Sequence, residues 1–416
     1  QVLYKNNQRP INPAEKVFTP VGSSNGAPAI TSDIASDTIF SERAFPAAAV
    51  AFTDFNGDGS PDIFYAVNGA TEDPLDPTLP YQHRLYINYD EDNLLHMSDP
   101  DLFPPYNSAP DADSRGDGYM VDSSNRMPVL PADRVNARGV AVGDINLDGY
   151  PDIVLANSDS TNGAANVVLI NTPVAGEYGH FVDATSTWLP VTRFDDTVDA
   201  ALFDADNDGD LDLVFVNRDS VSGVTGPDFY PYSRLLINDG TKFVDVTDPA
   251  IWPMASEQMR GQWEGVVIAD FTNRGDKGEN VSGNSTISPV TGQYLMIDHT
   301  DDINRNGVID YTSSGGGRRN VNMDMLITSG RRGIQHVFLS HGANRSAASY
   351  VDETLTRFPI DTAFPAFKGD AGDVNGDGLI DIVLALDTQT TDSELGPDAP
   401  GTKIPVGLYM NTSPQA

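Results

Sequence analysis

The stretch DINLDGYPDIVLAN, from Asp144 to Asn157, decides the fold because its pattern recurs along the chain. Its first nine residues follow the pattern D-x-[DN]-x-D-G-x-x-D, and an apolar run follows at once. The same pattern appears as DFNGDGSPD from Asp54, DADNDGDLD from Asp204 and DVNGDGLID from Asp373. Self-similarity of this kind is the signature of a repeat architecture, in which each unit packs against its neighbours.

Each acidic segment lies between two short runs that are typical of β-strands. The runs AAVAFTD, GVAVGD and AALFD come before three of the segments, and IFYAV, IVLAN, LVFVN and IVLAL come after the four. Two such runs joined by a Gly- and Asp-rich turn predict a β-hairpin with the acidic loop at its tip.

Two further strands complete each unit. The third strand ends in RLYIN at Arg84, VVLIN at Val167, RLLIN at Arg234 and VGLYMN at Val406. The predicted fourth strands are LHMSDPDLFP from Leu95, FVDATSTWLP from Phe181, FVDVTDPAIWP from Phe243 and YVDETLTRFP from Tyr350. Their alignment gives Trp188, Trp252 and Phe358 equivalent positions, where we expect aromatic packing between units.

A fifth unit is interrupted by an insertion. VVIADFTNRGD from Val266 supplies its first strand and an altered loop, and MDMLITSG from Met323 supplies the strand after the loop. The uninterrupted unit has four strands and, from Asp144 to Asp204, 60 residues. Units of this kind are typical of propeller blades. The sequence therefore predicts one all-β propeller over residues 1–416. Its five blades span about residues 47–104, 135–190, 197–253, 262–359 and 366–411, with N-terminal strands in 2–22 and insertions near 104–134 and 276–321.

The repeats resemble the FG-GAP/VCBS family of β-propeller repeats, which occur in integrin α-subunit heads and in many bacterial secreted proteins. The resemblance covers residues 47–411 apart from the two insertions, and the four loop copies carry it. It implies a calcium-loaded propeller outside the cell. It implies little about activity, because propellers serve as binding proteins, enzymes and scaffolds. The chain departs from the integrin pattern in showing five recognisable repeats rather than seven.

The acidic loops offer the donors that calcium prefers. Calcium takes about six to eight oxygen ligands, and Asp or Asn at loop positions 1, 3 and 5 places three of them on one side of a tight turn. Gly at position 6 allows the bend, the carbonyl at position 7 adds a ligand, and Asp at position 9 closes the site. An ordinary Asx turn is the alternative for any single loop. The predicted ligands are Asp54, Asn56, Asp58 and Asp62; Asp144, Asn146, Asp148 and Asp152; Asp204, Asp206, Asp208 and Asp212; and Asp373, Asn375, Asp377 and Asp381.

Two other loops complete the count of predicted metal sites. In the split unit Asp270 and Thr272 keep ligand positions and Asp324 stands where the closing Asp belongs, but Arg274 replaces the ligand at position 5. Its cation would repel a metal ion, so we expect no ion there. We predict about four to five calcium ions, whose removal destabilises the fold. The fifth ion would bind in the inserted loop, more weakly than the other four because this loop has fewer carboxylates. Its ligands would be Asp302, Asn304, Asn306 and Asp310.

The charge balance and cysteine count exclude several functions. The 416 residues include 60 Asp and Glu against 25 Lys and Arg, which gives a formal net charge of −35. Nucleic acids and anionic membranes attract clustered cations, which this composition lacks. The chain has no cysteine, so disulfides, Cys-ligated zinc and thiol nucleophiles are excluded. The longest apolar stretch, FPAAAVAF from Phe45, is too short to span a bilayer.

Motifs of enzymes are absent from the sequence. The six histidines show no metal-binding spacing, and no GxSxG elbow, Walker loop or dinucleotide fingerprint occurs. A glycosidase-like or lyase-like carboxylate pair stays open, although most carboxylates are assigned to calcium or repeat structure. The start at Gln1 and sequons at Asn280, Asn284, Asn344 and Asn411 favour a processed, glycosylated chain that is secreted or displayed at the cell surface; a trimmed chain is the alternative.

The two ends of the chain offer one strand too many. The last unit has three strands, and KVFTPVGS from Lys16 is the candidate for its fourth. The preceding segment, VLYKNN from Val2, copies the third-strand ending that the last unit already has. This spare strand is either a surface remnant or one that pairs with a sheet edge on a neighbouring molecule. Repeated head-to-tail pairing would build a filament.

These observations predict a non-enzymatic, calcium-stabilised, extracellular propeller that acts as a structural or adhesive module. A homo-oligomer or surface filament, formed through N-terminal strand donation, is one form of that function. A stand-alone propeller that binds a glycan or a protein is the first alternative, and a polysaccharide-acting enzyme on the same scaffold is the second. Calcium is the cofactor predicted, with no catalytic residue, no nucleic-acid partner and no membrane insertion.

Overall fold

Five antiparallel sheets form the fold, and each begins with a hairpin from the repeat unit. In a computed structural model of the chain they are arranged as the blades of a propeller. The structure describes residues 4–6, 18–20, 47–68, 72–73, 76–80, 82–89, 119–159, 163–190, 194–206, 208–219, 232–256, 259, 261, 263–269, 271, 285–287, 294–296, 323–329, 335–340, 349–358, 365–375, 379–386 and 406–412.

Within each blade the strands pair in chain order, so that the first is innermost and the last outermost. The strands are Ala47–Thr53, Asp62–Val67, Arg84–Tyr89 and Tyr119–Asp122 in blade one; Ala137–Gly143, Asp152–Asn157, Val167–Asn171 and Phe181–Asp183 in blade two; Thr197–Phe203, Asp212–Asn217, Arg234–Asn238 and Phe243–Asp245 in blade three; Trp263–Ala269, Asp324–Ser329, His336–Ser340 and Tyr350–Asp352 in blade four; and Ala366–Gly372, Asp381–Leu386 and Val406–Tyr409 in blade five.

Short elements join or flank the blades. Two α-helical turns, Thr185–Trp188 and Thr354–Arg357, follow the fourth strands of blades two and four. The remaining described elements are the 3₁₀ turns Ser124–Arg126, Ala132–Arg134 and Pro253–Ala255, and the strand pairs Tyr4–Asn6 with Phe18–Pro20, Glu72–Asp73 with Asp76–Pro80, Ala164–Ala165 with Phe194–Asp195, and Ser285–Ile287 with Tyr294–Met296.

The first strands of all five blades line one axial cavity of about 180 Å³. Its wall is mostly apolar, because each blade contributes small or aliphatic residues from the same level of its first strand. The strands of each blade therefore radiate outward from this axis, which is the geometry of a propeller. The wall residues at one equivalent repeat position, four residues before the first Asp of each loop, are Val50, Val140, Ala200, Val266 and Gly369.

Four hydrophobic clusters fill the interfaces between consecutive blades. Trp188 of blade two contacts Phe243 of blade three with ring centroids 5.7 Å apart. Trp252 contacts Tyr350 of blade four at 5.8 Å, in an edge-to-face arrangement. Phe358 contacts Tyr409 of blade five at 4.8 Å. The predicted packing of these equivalent aromatic residues between units is confirmed.

Blade one obtains its fourth strand from a segment that the sequence assigned to an insertion. Tyr119–Asp122 pairs with Arg84–Tyr89, with Tyr86 opposite Asp122. The prediction of a fourth strand from Leu95 is therefore wrong, and Leu95 itself lies outside the described residues. The physical reason is that Val121 and Asp122, followed by Ser124, repeat the V-D-x-[TS] pattern of the other fourth strands.

The predicted fourth strand of blade five is also placed differently. Phe18–Pro20 pairs with Tyr4–Asn6, with Asn6 opposite Phe18. Blade five consists of three strands in the described part of the chain. Pairing within the N-terminal segment joins strands that are close in sequence, so it closes a much shorter loop than pairing with Val406–Tyr409.

Candidate metal centres

The acidic loops sit at the tips of the first hairpins, and their backbone folds around the Asp at position 1. Asp54 accepts hydrogen bonds from the amides of Asp58 at 3.1 Å and Gly59 at 2.7 Å. Asp144 and Asp204 accept the equivalent pair of amides in the second and third loops. Three loops with different sequences therefore share one turn, which wraps backbone amides around a carboxylate.

Left-handed backbone conformations make this turn possible. Gly59, Gly149 and Gly209, at position 6, have φ angles of 91°, 92° and 101°. Only glycine enters this region without strain, so the repeated Gly is a requirement of the turn. At position 4, Gly57 has a φ of 78°, and Leu147 has a φ of 57°.

The Asp at position 9 ties each loop to its blade. Asp62 is fully buried and accepts hydrogen bonds from the amides of Phe55 in the loop and Asn88 in the third strand, both at 2.8 Å. The closing residue therefore has a structural role, whether or not it also binds a metal. The loop amide is bound in the same way by Asp152, Asp212, Asp324 and Asp381.

The third loop brings its carboxylates closest together. Asp204, Asp206 and Asp208 each present an oxygen within 4.8 Å of the other two. Asp206 is 2% exposed, and one of its oxygens is buried without a hydrogen-bond partner in the described structure. Asp210, at position 7, also has a buried oxygen without such a partner. A bound cation would coordinate these buried carboxylate oxygens, which have no hydrogen-bond donor.

Burial controls the protonation of these groups. Desolvation, with repulsion from Asp208, raises the pKa of Asp204 to about 7 and that of Asp206 to about 6. Desolvation likewise raises the pKa of Asp62 and Asp152 to about 8, against the lowering effect of their backbone hydrogen bonds. Without a cation the folded protein therefore opposes ionisation of its own loop carboxylates.

The donor chemistry fits a hard divalent cation. All the predicted side-chain ligands in the first three loops present oxygen, the ligand that calcium prefers over nitrogen or sulfur. In the first two loops the amide of the Asn at position 3 donates to the Asp at position 5, from Asn56 to Asp58 at 2.9 Å and from Asn146 to Asp148 at 3.0 Å. These bonds hold the side chains of both positions together beside the position 1 carboxylate.

Other predicted ligands are described in part or lie outside the described residues. Asp373, Asn375 and Asp381 are described, and Asp381 closes its loop through the amide of Val374 at 3.0 Å. In the split unit Asp324 takes the closing position, with the amide of Phe271 at 3.0 Å, as the sequence indicated. The residues outside the described part are Asp377, Asp270, Thr272, Arg274, Asp302, Asn304, Asn306 and Asp310.

Two features of these centres were missed at the sequence level. Asp210 adds a carboxylate to the third loop, and burial raises its pKa to about 8. Its signal was an Asp at position 7, where the other intact loops carry Ser, Tyr or Leu. The Asn that ends the third strand is the second feature. Asn238 donates from Nδ2 to the carbonyl of Ile145 in the preceding loop at 2.9 Å, which explains why Asn recurs there.

Comparison with known families agrees with this geometry. Residues 144–215, from the second loop into the second strand of blade three, match the model of the FG-GAP-like repeat. The chain is therefore a propeller that contains an FG-GAP-like repeat. FG-GAP-like repeats commonly bind calcium, and the matched segment contains the acidic cluster of Asp204, Asp206 and Asp208.

The search of curated proteins found no match. Among the described residues, no helix combines the length and apolar character needed to cross a membrane.

Proposed function

We propose that the chain is a non-enzymatic, calcium-stabilised propeller that acts as a structural or adhesive module outside the cell. The observation that carries this proposal is the third loop, where three carboxylates converge and buried oxygens of Asp206 and Asp210 lack donors. The same turn in the first two loops supports several such sites. A cation that binds the folded loops and not the unfolded chain stabilises the fold by an amount that rises with the logarithm of its concentration relative to its dissociation constant.

The axial cavity is a poor candidate for a catalytic site. At about 180 Å³ it is smaller than typical ligand pockets, which measure about 300 to 1,000 Å³. Asp370 lies in its wall. Nearby Asp199 is neutralised by Lys368, with Oδ1 and Nζ 2.6 Å apart. A glycosidase needs two carboxyl groups about 5 to 9.5 Å apart around one bond, and the described lining offers no such pair.

Calcium binding is tested by thermal unfolding of the chain in calcium and after removal of metal by chelator. We expect a clearly higher melting temperature in calcium, and isothermal titration of the metal-free protein should show several bound ions. Asp206→Asn is expected to reduce the calcium-dependent increase in melting temperature. Asp133→Asn, at an exposed position outside the loops, is the matched control. Equal melting temperatures with and without calcium would contradict the proposal.

Assembly through the N-terminal strands stays a prediction. Tyr4–Asn6 pairs with Phe18–Pro20, so donation of either strand to another molecule requires this pair to open. The molar mass in calcium, measured by light scattering after size-exclusion chromatography, tests it. Large or polydisperse assemblies would support a filament-forming subunit, whereas a monomer of 44.7 kDa would contradict one.

A further inference from the structure

One lateral face of blade five is apolar and exposed. Leu408 and Met410, on its third strand, are 50% and 40% exposed. Their register equivalents in blade four are Val337 and Leu339, which are 4% and 2% exposed because blade five packs against them. The face of blade five thus has the composition of an interface between blades but lacks a described neighbour.

The hydrophobic clusters between blades also leave this face of blade five without a described neighbouring blade. The four clusters join blades one and two, two and three, three and four, and four and five. No cluster of described residues joins blade five to blade one, although both contribute to the axial cavity. Contiguous apolar surface of this kind marks a contact site.

The N-terminal strand pair has the register of half a blade. Asn6 lies opposite Phe18, Lys5 opposite Thr19 and Tyr4 opposite Pro20. In blade three the same pattern places Asn238 opposite Phe243 at the equivalent point of strands three and four. The pair of Tyr4–Asn6 and Phe18–Pro20, called the N-terminal hairpin below, therefore corresponds to the outer half of a repeat unit.

The register also defines which positions of the hairpin would meet another blade. Tyr4 corresponds to Leu236 and Phe18 to Phe243, and both of these blade three residues lie in the cluster shared with blade two. In each case the position faces the preceding blade. The hairpin thus carries aromatic residues at the two positions that pack against a preceding blade.

A hydrogen bond between neighbouring units marks the same interface. The side-chain amide of the Asn that ends a third strand donates to the carbonyl at loop position 2 of the preceding blade. Asn171 donates to Phe55 at 2.7 Å, and Asn411 donates to Phe271 at 2.8 Å. In the hairpin this position is Asn6. In blade five the carbonyl at loop position 2 belongs to Val374, which is 55% exposed.

We propose that the N-terminal hairpin docks in the same molecule on the exposed face of blade five, with Asn6 opposite the carbonyl of Val374. Chain order supports this placement, because the outer strands of every unit come directly before the next blade, and the hairpin comes before blade one. It therefore falls between blades five and one. Residues 21–46 connect it to blade one and can span roughly 80 Å when extended, which permits the contact.

Cysteine cross-linking tests the docking, because the chain has no cysteine of its own. The test protein combines Asn6→Cys with Val374→Cys. A pair at an interface that the structure describes, Asn411→Cys with Phe271→Cys, sets the oxidation conditions. The remote pair Asn6→Cys with Val182→Cys, on the 47% exposed Val182 of blade two, measures random collision. We expect a cross-linked monomer in the test protein at several times the yield of the remote pair.

Two results would overturn the proposal. A test pair that cross-links no better than the remote pair would show that the hairpin does not dock on blade five. A cross-linked dimer would show that the face is filled by a second copy, which would favour head-to-tail assembly instead. Neither result bears on calcium binding, so the proposed function is judged separately.

Substitutions within the hairpin distinguish face-to-face packing from a chance approach. In the cross-linking protein, Tyr4→Ser and Phe18→Ser are expected to lower the yield several-fold, because both positions face blade five. Thr19→Ser, at the intervening position, is the matched control and should leave the yield unchanged. Equal effects at all three positions would contradict the proposed register.

Discussion

At Leu147 the second acidic loop carries a side chain where the first loop has glycine. Its φ of 57° places it in the left-handed region, which costs a residue with a Cβ roughly 1 to 2 kcal/mol. Leu147 is also 62% exposed, so its side chain gains little from packing. The turn is retained because the hydrogen bonds to Asp144 and the Gly at position 6 determine the surrounding backbone.

Replacing Leu147 by Asn is therefore expected to stabilise the protein. Asn enters the left-handed region more readily, and we expect a gain of about 0.5 to 1 kcal/mol in the free energy of unfolding. Urea unfolding in calcium measures the change. Leu355→Asn is the control, because Leu355 is 72% exposed in a helical turn, where Asn offers no such relief. A loss of stability at both positions would contradict this explanation.

The loop carboxylates also determine how stability responds to pH. The pKa of Asp62 and of Asp152 is about 8 in the folded metal-free protein, against about 3.9 for an unfolded Asp. Their protonated forms therefore contribute stability that is full below about pH 4 and is lost as the pH rises to about 8. Buried His83, with a pKa lowered to about 4, has the opposite effect, but only below about pH 6.5.

We predict that the melting temperature of the metal-free protein falls as the pH rises from about 6.5 to 8. Calcium should remove or reverse this fall, because it binds the ionised carboxylates and its affinity rises as they lose protons. Scanning calorimetry at several pH values, with and without calcium, checks the prediction. Asp62→Asn should flatten the metal-free slope. Parallel slopes in the two conditions would show that the loop carboxylates do not govern the response.

At the scale of elements, the outer edge of four blades is held by one repeated contact. After the fourth strand, the hydroxyl of a Thr or Ser two residues beyond the strand's Asp accepts a hydrogen bond from a third-strand amide. Thr185 accepts from Val168 at 3.1 Å and donates to Asp183 at 2.6 Å. Ser124, Thr247 and Thr354 accept the same bond in blades one, three and four. This side-chain bond thus extends the contact between the third and fourth strands past their last backbone hydrogen bond.

Thr185→Val is expected to lower the free energy of unfolding by about 1 to 3 kcal/mol, because it leaves the buried amide of Val168 without a partner while conserving the shape. Urea unfolding in calcium measures the loss. Thr185→Ser keeps the hydroxyl and should restore more than half of the lost stability. If Val and Ser had the same effect, packing and not the hydrogen bond would explain the role of this position.

The strand order could be predicted from the sequence where the repeat is uninterrupted. The loops, the third-strand endings and the fourth strands of blades two to four follow from local patterns, since each carries its own repeated residues. The fourth strand of blade one could not be found by distance, because a long segment separates Asn88 from Tyr119. Its signal was Val121-Asp122-x-Ser124, whose meaning emerges only from the hydrogen bond that Ser124 makes.

The convergence of the third-loop carboxylates could be predicted from the sequence, but their environment could not. The spacing of Asp204, Asp206 and Asp208 indicated convergence, and the structure brings their oxygens together. Burial was not predictable, because neighbouring blades and strands supply it through contacts distant in sequence. The bond from Asn238 to Ile145 joins residues in two different units, so the recurring Asn marks the donor in the sequence but not its partner.

At the scale of the whole molecule, stability is distributed unevenly around the ring. A repeat protein is stabilised by each unit and by the interfaces between neighbours, so a unit with two interfaces is held more firmly than a unit with one. Blade three lies between two clusters, and every residue of its second strand, Asp212–Asn217, is buried. Blade five belongs to one described cluster, and its second strand, Asp381–Leu386, is partly exposed.

We therefore predict that amide hydrogen exchange in calcium is at least about tenfold slower in Asp212–Asn217 than in Asp381–Leu386. Opening of blade three disrupts two interfaces with whole blades, whereas opening of blade five disrupts one such interface and the proposed contact with the short N-terminal hairpin. Mass spectrometry of peptides that cover the two strands measures the difference. The strands occupy equivalent positions in their blades, so each controls for the ladder geometry of the other. Deletion of residues 1–20 should speed exchange in blade five and leave blade three unchanged, because the proposed hairpin contact protects only the former. Equal exchange in both strands would mean that the ring unfolds as one unit, with all blades closed against two neighbours.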